Sequence, residues 1–247
     1  MAGLGRTTAD RLTTDSFSRL AGGLGLFAAF IYSAIPLQLV VHTNIGWIHG
    51  YVSDLGASDQ PYSWMFQAID GISGSCVILL AVAVYRRASA TPLRIIGCGA
   101  LGLFGVSAVG DSLMPLECSS YLSAACKRAE DAGLLSWQHQ GHLFSSIGTV
   151  VGVLASMVFL PLANRDLPGW ERMGRWWWPG AALLIAVALL CGVWEVWQLA
   201  DGPGGVAQRA MLLLMCAWVA HLSVLVLRRP LDDHPGAGER ALVATRA

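Results

Sequence analysis

The chain reads as long apolar runs separated by short polar connections. A helix crossing a bilayer needs roughly 20 mostly apolar residues. Six runs qualify, at about 21–41, 65–85, 94–114, 142–163, 177–198 and 207–227. The pattern predicts an all-α polytopic membrane protein, a six-transmembrane-helix bundle. The first run is rich in Leu, Ala and Phe and ends near His42, and the last stops at Arg228 and Arg229. Pro36 and Pro161 are expected to kink or end their helices. Residues 1–20 form a cytoplasmic N-terminal segment, 21–229 the transmembrane domain, and 230–247 a polar, Gly/Pro-containing tail expected to be disordered. The first run is followed by further runs, so it reads as a true span rather than a cleaved leader.

Composition supports lipid as the solvent. Hydrophobic residues make up 55% and charged residues 13% of the chain, against about 25% charged in soluble domains. Net charge is zero, so no overall basic field attracts nucleic acid. The flanks assign orientation through their Lys and Arg content. With both termini cytoplasmic, the inner side holds Arg6, Arg11, Arg19, Arg86, Arg87, Arg94, Arg165, Arg172, Arg175, Arg228, Arg229, Arg240 and Arg246. The outer side then holds only Lys127, Arg128 and Arg209. The expected location is the cell (plasma) membrane, crossed several times. Trp47, Trp64, Trp194 and Trp197 fall near the outer interface, and Trp170 and Trp176 to Trp178 near the inner one, as aromatic belts do. Gly148 and Gly152, with Gly97, Gly102 and Gly105 in the third run, signal close helix packing.

This topology puts most membrane-proximal acids and histidines at the outer ends of the spans: His42, His49, Asp54, Asp59, Asp70, Asp111, Glu117, His139, His142, Glu195 and Asp201. Charge at membrane depth costs about 2.5–3.5 kcal/mol at mid-helix and less near the ends. Such groups either share one outward-facing cavity or reach individually into headgroup water, and both readings stand at this stage. His139 and His142 share a helix face, which Ser145 and Ser146 continue one turn deeper. With Asp111 they are candidate ligands for a divalent metal such as zinc; the other reading is a hydrogen-bonded interfacial pair. His221, in the inner half of the last span, reads as a bundle histidine. Cys118 and Cys126 lie in the outer loop, where an oxidising compartment predicts a disulfide. Cys76, Cys98, Cys191 and Cys216 fall within spans and read as apolar fillers. There is no P-loop, GxGxxG turn or GxSxG elbow, no voltage-sensor-like basic run and no repeated pair of broken spans.

The stretch Tyr51-Val-Ser-Asp-Leu-Gly-Ala57, followed by Pro61 and Phe66, resembles a segment after the first helix in the damage-regulated autophagy modulator (DRAM) family and its FRAG relatives. Met114-Pro-Leu-Glu-Cys118, Cys126, Ser136-Trp-Gln-His139 and His142 resemble an uncharacterised actinobacterial family of six-helix membrane proteins, related to the first and labelled a domain of unknown function. The likeness implies a six-helix fold with Ser53, Asp54, Asp111, His139 and His142 as matching polar positions. It also implies a link to lipid remodelling or its regulation. The Cys-bounded loop and the His pair depart from the DRAM pattern, which weakens transfer of a purely regulatory role.

Three functions are therefore weighed. The first is a membrane-embedded enzyme acting on a lipid or isoprenoid substrate. It would be a metal-assisted hydrolase or acyl transferase with Asp111, His139 and His142 as ligands and Asp54 or Glu195 as base. Alternatively, Asp111 or Glu195 would start a terpene-cyclase-like reaction by protonation, with Trp194 and Trp197 stabilising the cation. Ser53, Asp70, Trp194 and Trp197 are the candidate substrate-binding residues. The second function is a non-catalytic lipid-binding or regulatory protein, and the third a transporter.

Overall fold

A computed structural model of the chain describes residues 8–86, 90–165, 170–196 and 202–228, the side chains of 8–13, 170–174 and 194–196 excepted. The described residues form nine helices and no strand. Six are long: α1 (Thr8–Ile31), α4 (Ser63–Arg86), α5 (Pro92–Leu113), α7 (Trp137–Asn164), α8 (Trp170–Val196) and α9 (Gly204–Arg228). Three are short and lie in the connections: α2 (Ile35–Val40), α3 (Val52–Leu55) and α6 (Ala124–Asp131). Five of the long helices, α4, α5, α7, α8 and α9, are long and apolar enough to cross a membrane.

The first apolar run behaves differently from the rest. A turn at 32–34, where Ala34 takes φ 57°, divides it into α1 and α2. Pro36 explains the break: it has no N–H for the Tyr32 carbonyl, and its ring would collide with that carbonyl if α1 continued. At its other end α1 begins at Thr8, inside the segment expected to precede the first span. Pro161, in contrast, does not end α7, which runs on to Asn164.

Caps set the other starts. Thr91 accepts from the Arg94 N–H with Pro92 at the first helical position of α5, and Ser136 accepts from the His139 N–H at the start of α7. The left-handed Gly133 (φ 65°) ends the α6 turn, which few other residues could do without strain.

The long helices pack in a ring in chain order: α1 on α4, α4 on α5, α5 on α7, α7 on α8, α8 on α9, and α9 back on α1. The α4–α5 and α5–α7 seams are the tightest. A Cβ at Gly74 would meet the Gly105 carbonyl at 2.5 Å, and one at Gly152 would meet the Ala100 carbonyl at 2.7 Å, so these glycines are what allow the approach. The core beneath is apolar, with Leu80, Leu101, Phe104, Met157, Met215 and Trp218 fully buried. The Trp218 indole N–H donates to Ser156 at 2.8 Å, so a large ring can sit there without an orphaned donor. At the end away from the short helices, buried Arg94 donates to Asn164 at 3.1 Å and ties the start of α5 to the end of α7. The helix α8 is held least. Only 11% of its apolar window is buried, against 39–50% in the other four.

Candidate functional site

All three short helices lie at one end of the ring, where the connections 32–62, 114–136 and the turn before α9 interlock. Asp54 organises this cap. Its carboxylate accepts from the Tyr51 N–H at 3.2 Å and from the Ser119 hydroxyl at 2.8 Å, joining the first connection to the second. Asp59 accepts from the Ser119 N–H at 3.2 Å, and the Ser58 N–H donates to the Leu116 carbonyl at 2.8 Å. The predicted disulfide joins Cys118 to Cys126 with Cα atoms 6.1 Å apart, and stiffens the second connection. Glu117 accepts from the Ser136 N–H at 3.0 Å. The Ser136 backbone and hydroxyl hold this exposed carboxyl below its usual range.

Arg209, at the start of α9, pins the first connection from the other side. Buried, it donates to the carbonyls of Trp47 (3.1 Å), Gly50 (2.9 Å) and Gly205 (3.0 Å) and to Gln38 (2.9 Å). Its guanidinium also lies 4.9 Å from the Trp47 ring centre. The neighbouring Gln208 accepts from the Val52 N–H and donates to Ser53 at 3.4 Å. His49 meets the Gly202 carbonyl at 3.0 Å.

Beneath the cap lies a cavity of about 330 Å³, within the size range of small-molecule sites. Its polar lining includes Tyr32 from the break after α1, Asp70 from α4, Asp111 from α5, and His142, Ser146 and Thr149 from α7, with Ser53 and Gln208 at the cap. Val150, Met211, Leu212 and Met215 supply apolar wall. The cavity also reaches Ile147 and Val151 of α7 and Ala188 and Cys191 of α8. Ile147 and Val151 are half exposed, at 52% and 51%. The lining therefore continues onto the bundle's flank at the seam beside the loosely held α8.

Three polar groups in the cavity differ in how they are held. Asp111 is buried and accepts from the hydroxyls of Ser145 and, at 3.1 Å, Ser146. His142 Nδ1 lies 3.1 Å from the Met114 carbonyl and 3.6 Å from Asp111 Oδ1. A carbonyl only accepts, so the Nδ1 proton is fixed and neutral His142 keeps Nε2 as an acceptor. Nε2 has no partner among the described residues. Asp70 likewise has no hydrogen-bond or ion-pair partner among them.

The expected polar cluster thus separates into two groups. Asp70, Asp111, His142 and Ser53 face one cavity. Asp54, Asp59, Glu117, His49 and His139 hold the cap together. His139 in particular is fully engaged: Nδ1 accepts from the Glu117 N–H at 3.2 Å, and Nε2 meets Glu130 Oε1 at 3.4 Å. This corrects the expected metal triad. Asp111, His139 and His142 do not converge, and no group of three His, Cys, Asp or Glu among the described residues could hold a metal ion. The side chains of Glu195 and Trp194, and the whole of Trp197 and Asp201, lie outside the described residues.

Sequence reasoning missed Tyr32, Gln67, Thr149 and Gln208 as lining residues, and Arg209 as the pin of the cap. The adjacent Gln208 and Arg209 at the start of an otherwise apolar run were the available signal.

No curated protein matches the chain, and no solved structure matches it. A family model described as Protein of unknown function (DUF998) matches residues 21–225. That is most of the chain and includes every residue of the cavity and of the cap; the chain belongs to this family.

Proposed function

We propose that this protein is a membrane-embedded enzyme that cleaves or transfers an ester- or amide-linked group on a lipid or isoprenoid amphiphile, with His142 and Asp111 as its acid–base dyad. The reading includes a six-span topology with α1 as the first span and both termini in the cytoplasm, which puts the capped end outside. One observation carries it: a His142 Nε2 with no partner among the described residues, beside the buried Asp111 carboxyl group, in a cavity that reaches the bundle's flank. His142 takes a proton from water as the water oxygen bonds to the acyl carbon. The bond from that carbon to the leaving oxygen or nitrogen then breaks, and His142 returns the proton to the leaving group. Asp111, 3.6 Å away, stabilises the imidazolium formed in between.

The test is turnover of defined lipid esters and amides by the protein in nanodiscs, followed by mass spectrometry. His142→Ala and Asp111→Asn should each lower the rate by about 10²–10⁴-fold with the fold retained, and His139→Ala should act through cap stability. A non-catalytic lipid-binding protein is the second reading. It is favoured by the engagement of Asp54 and His139 in the cap, and it prevails if the wild-type protein retains lipid but turns over none of the panel.

A further inference from the structure

Charge around the cavity narrows what its occupant can be. Asp70 and Asp111 both line it, and among the described residues no Lys or Arg does. The buried arginine closest in sequence to a lining residue, Arg209, is spent on Gln38 and three carbonyls of the cap and the first turn of α9. Asp111 is already held by two serines, but Asp70 has no hydrogen-bond or ion-pair partner among the described residues. A buried carboxyl group with its bonding capacity unused is costly unless something else meets it. An anionic head, such as a phosphate or diphosphate, would face two acidic side chains with no Lys or Arg among the described lining residues to offset it. A cation there would satisfy Asp70 by a charge-assisted hydrogen bond.

Size points the same way. A volume of about 330 Å³ lies at the lower end of the range for small-molecule sites. A head and the first carbons fit, and the remaining chain must leave through an apolar opening. Ile147, Val151, Ala188 and Cys191 provide one at the α7–α8 seam. Resting on the cavity being the binding site proposed above, we infer that its ligand is a single-chain amphiphile with an ammonium head seated at Asp70 and its tail passing between α7 and α8 into the bilayer.

Competition among dodecylamine, dodecanol and dodecyl phosphate for the protein in phosphatidylcholine nanodiscs, read by native mass spectrometry, tests this. The amine should be retained preferentially. Asp70→Asn should weaken it about 10- to 100-fold, the worth of a hydrogen bond to a charged group. Val151→Trp, at the opening, should weaken the amine and the alcohol alike. Equal retention of the phosphate, or amine binding indifferent to Asp70→Asn, overturns the inference. Amine selectivity without turnover of any ester or amide upholds it and removes the catalytic reading. Turnover that requires His142 but shows no amine preference overturns it and leaves the catalytic reading standing.

Discussion

Replacing Arg209 by Met tests how the cap is held. The substitution keeps an apolar stem of similar reach and removes every donor. The Gly205 carbonyl belongs to the first turn of α9 and retains the Arg209 backbone N–H. The Trp47 and Gly50 carbonyls lose their side-chain donor, and so does Gln38 Oε1. A buried acceptor left unpaired costs about 1–3 kcal/mol, so two carbonyls alone bring about 2–6 kcal/mol. Loss of the contact with the Trp47 ring adds about 1 kcal/mol. Removing a buried charge that has only neutral partners returns part of this. The net expectation is a loss of about 3 kcal/mol, or a Tm about 6–12 °C lower in a chain of this size. A thiol-reactive dye in detergent reads it directly, since Cys76, Cys98 and Cys216 are buried until the bundle opens. A Tm for Arg209→Met within about 1 °C of wild type would refute the reasoning, because the carbonyls would then have found other donors at no cost.

Three further outcomes follow from the geometry. Serine at both Cys118 and Cys126 should cost about 2–3 kcal/mol of local stability by loop-closure entropy, seen as faster hydrogen exchange in 114–136 with the spans unchanged. Glu117 is held below its ordinary value of 4.5 by Ser136, so its stabilising effect is complete above that value and is lost as pH falls through its lower folded value. Exchange at the 117–136 junction should therefore quicken on acidification, and Glu117→Gln should remove that dependence. Gly152→Val should destabilise by about 1–3 kcal/mol by forcing α7 from α5, whereas Gly102→Ala, with open space at its Cβ, should stabilise by up to about 1 kcal/mol in the same thermal scan.

The runs that became α4, α5, α7, α8 and α9 were legible because lipid imposes one rule on every residue of a span, and such a rule survives in the residue order. The disulfide was legible because Cys118 and Cys126 fall together in one connection while the other cysteines fall within the apolar runs. The break after α1 was half legible, since Pro36 was noticed but its collision with the Tyr32 carbonyl turned a kink into two helices. The roles of His139 and His142 were not. Their spacing puts both on one face of α7, but one turn separates a residue beneath the cap from a residue within it. Which side of that boundary each occupies depends on where 114–136 folds back, and local pattern does not encode that. Gln208 and Arg209 were hidden similarly, because their partners in the first connection lie more than 150 residues away.

The ring closes between the first long helix and the last. Gly22 and Gly25 of α1 face Leu227 and Ser223 of α9 closely enough that a Cβ at either would collide. During synthesis this surface must wait for its match. At about 5–20 residues per second, the chain from the end of α1 to the end of α9 takes on the order of ten seconds or more to appear. Once α4 has emerged α1 can dock on it, but its other flank stays open to lipid or to whatever assists insertion. Assembly is therefore completed from the C-terminal end, and a chain cut short before Gly204 would leave its oldest helix without its final neighbour.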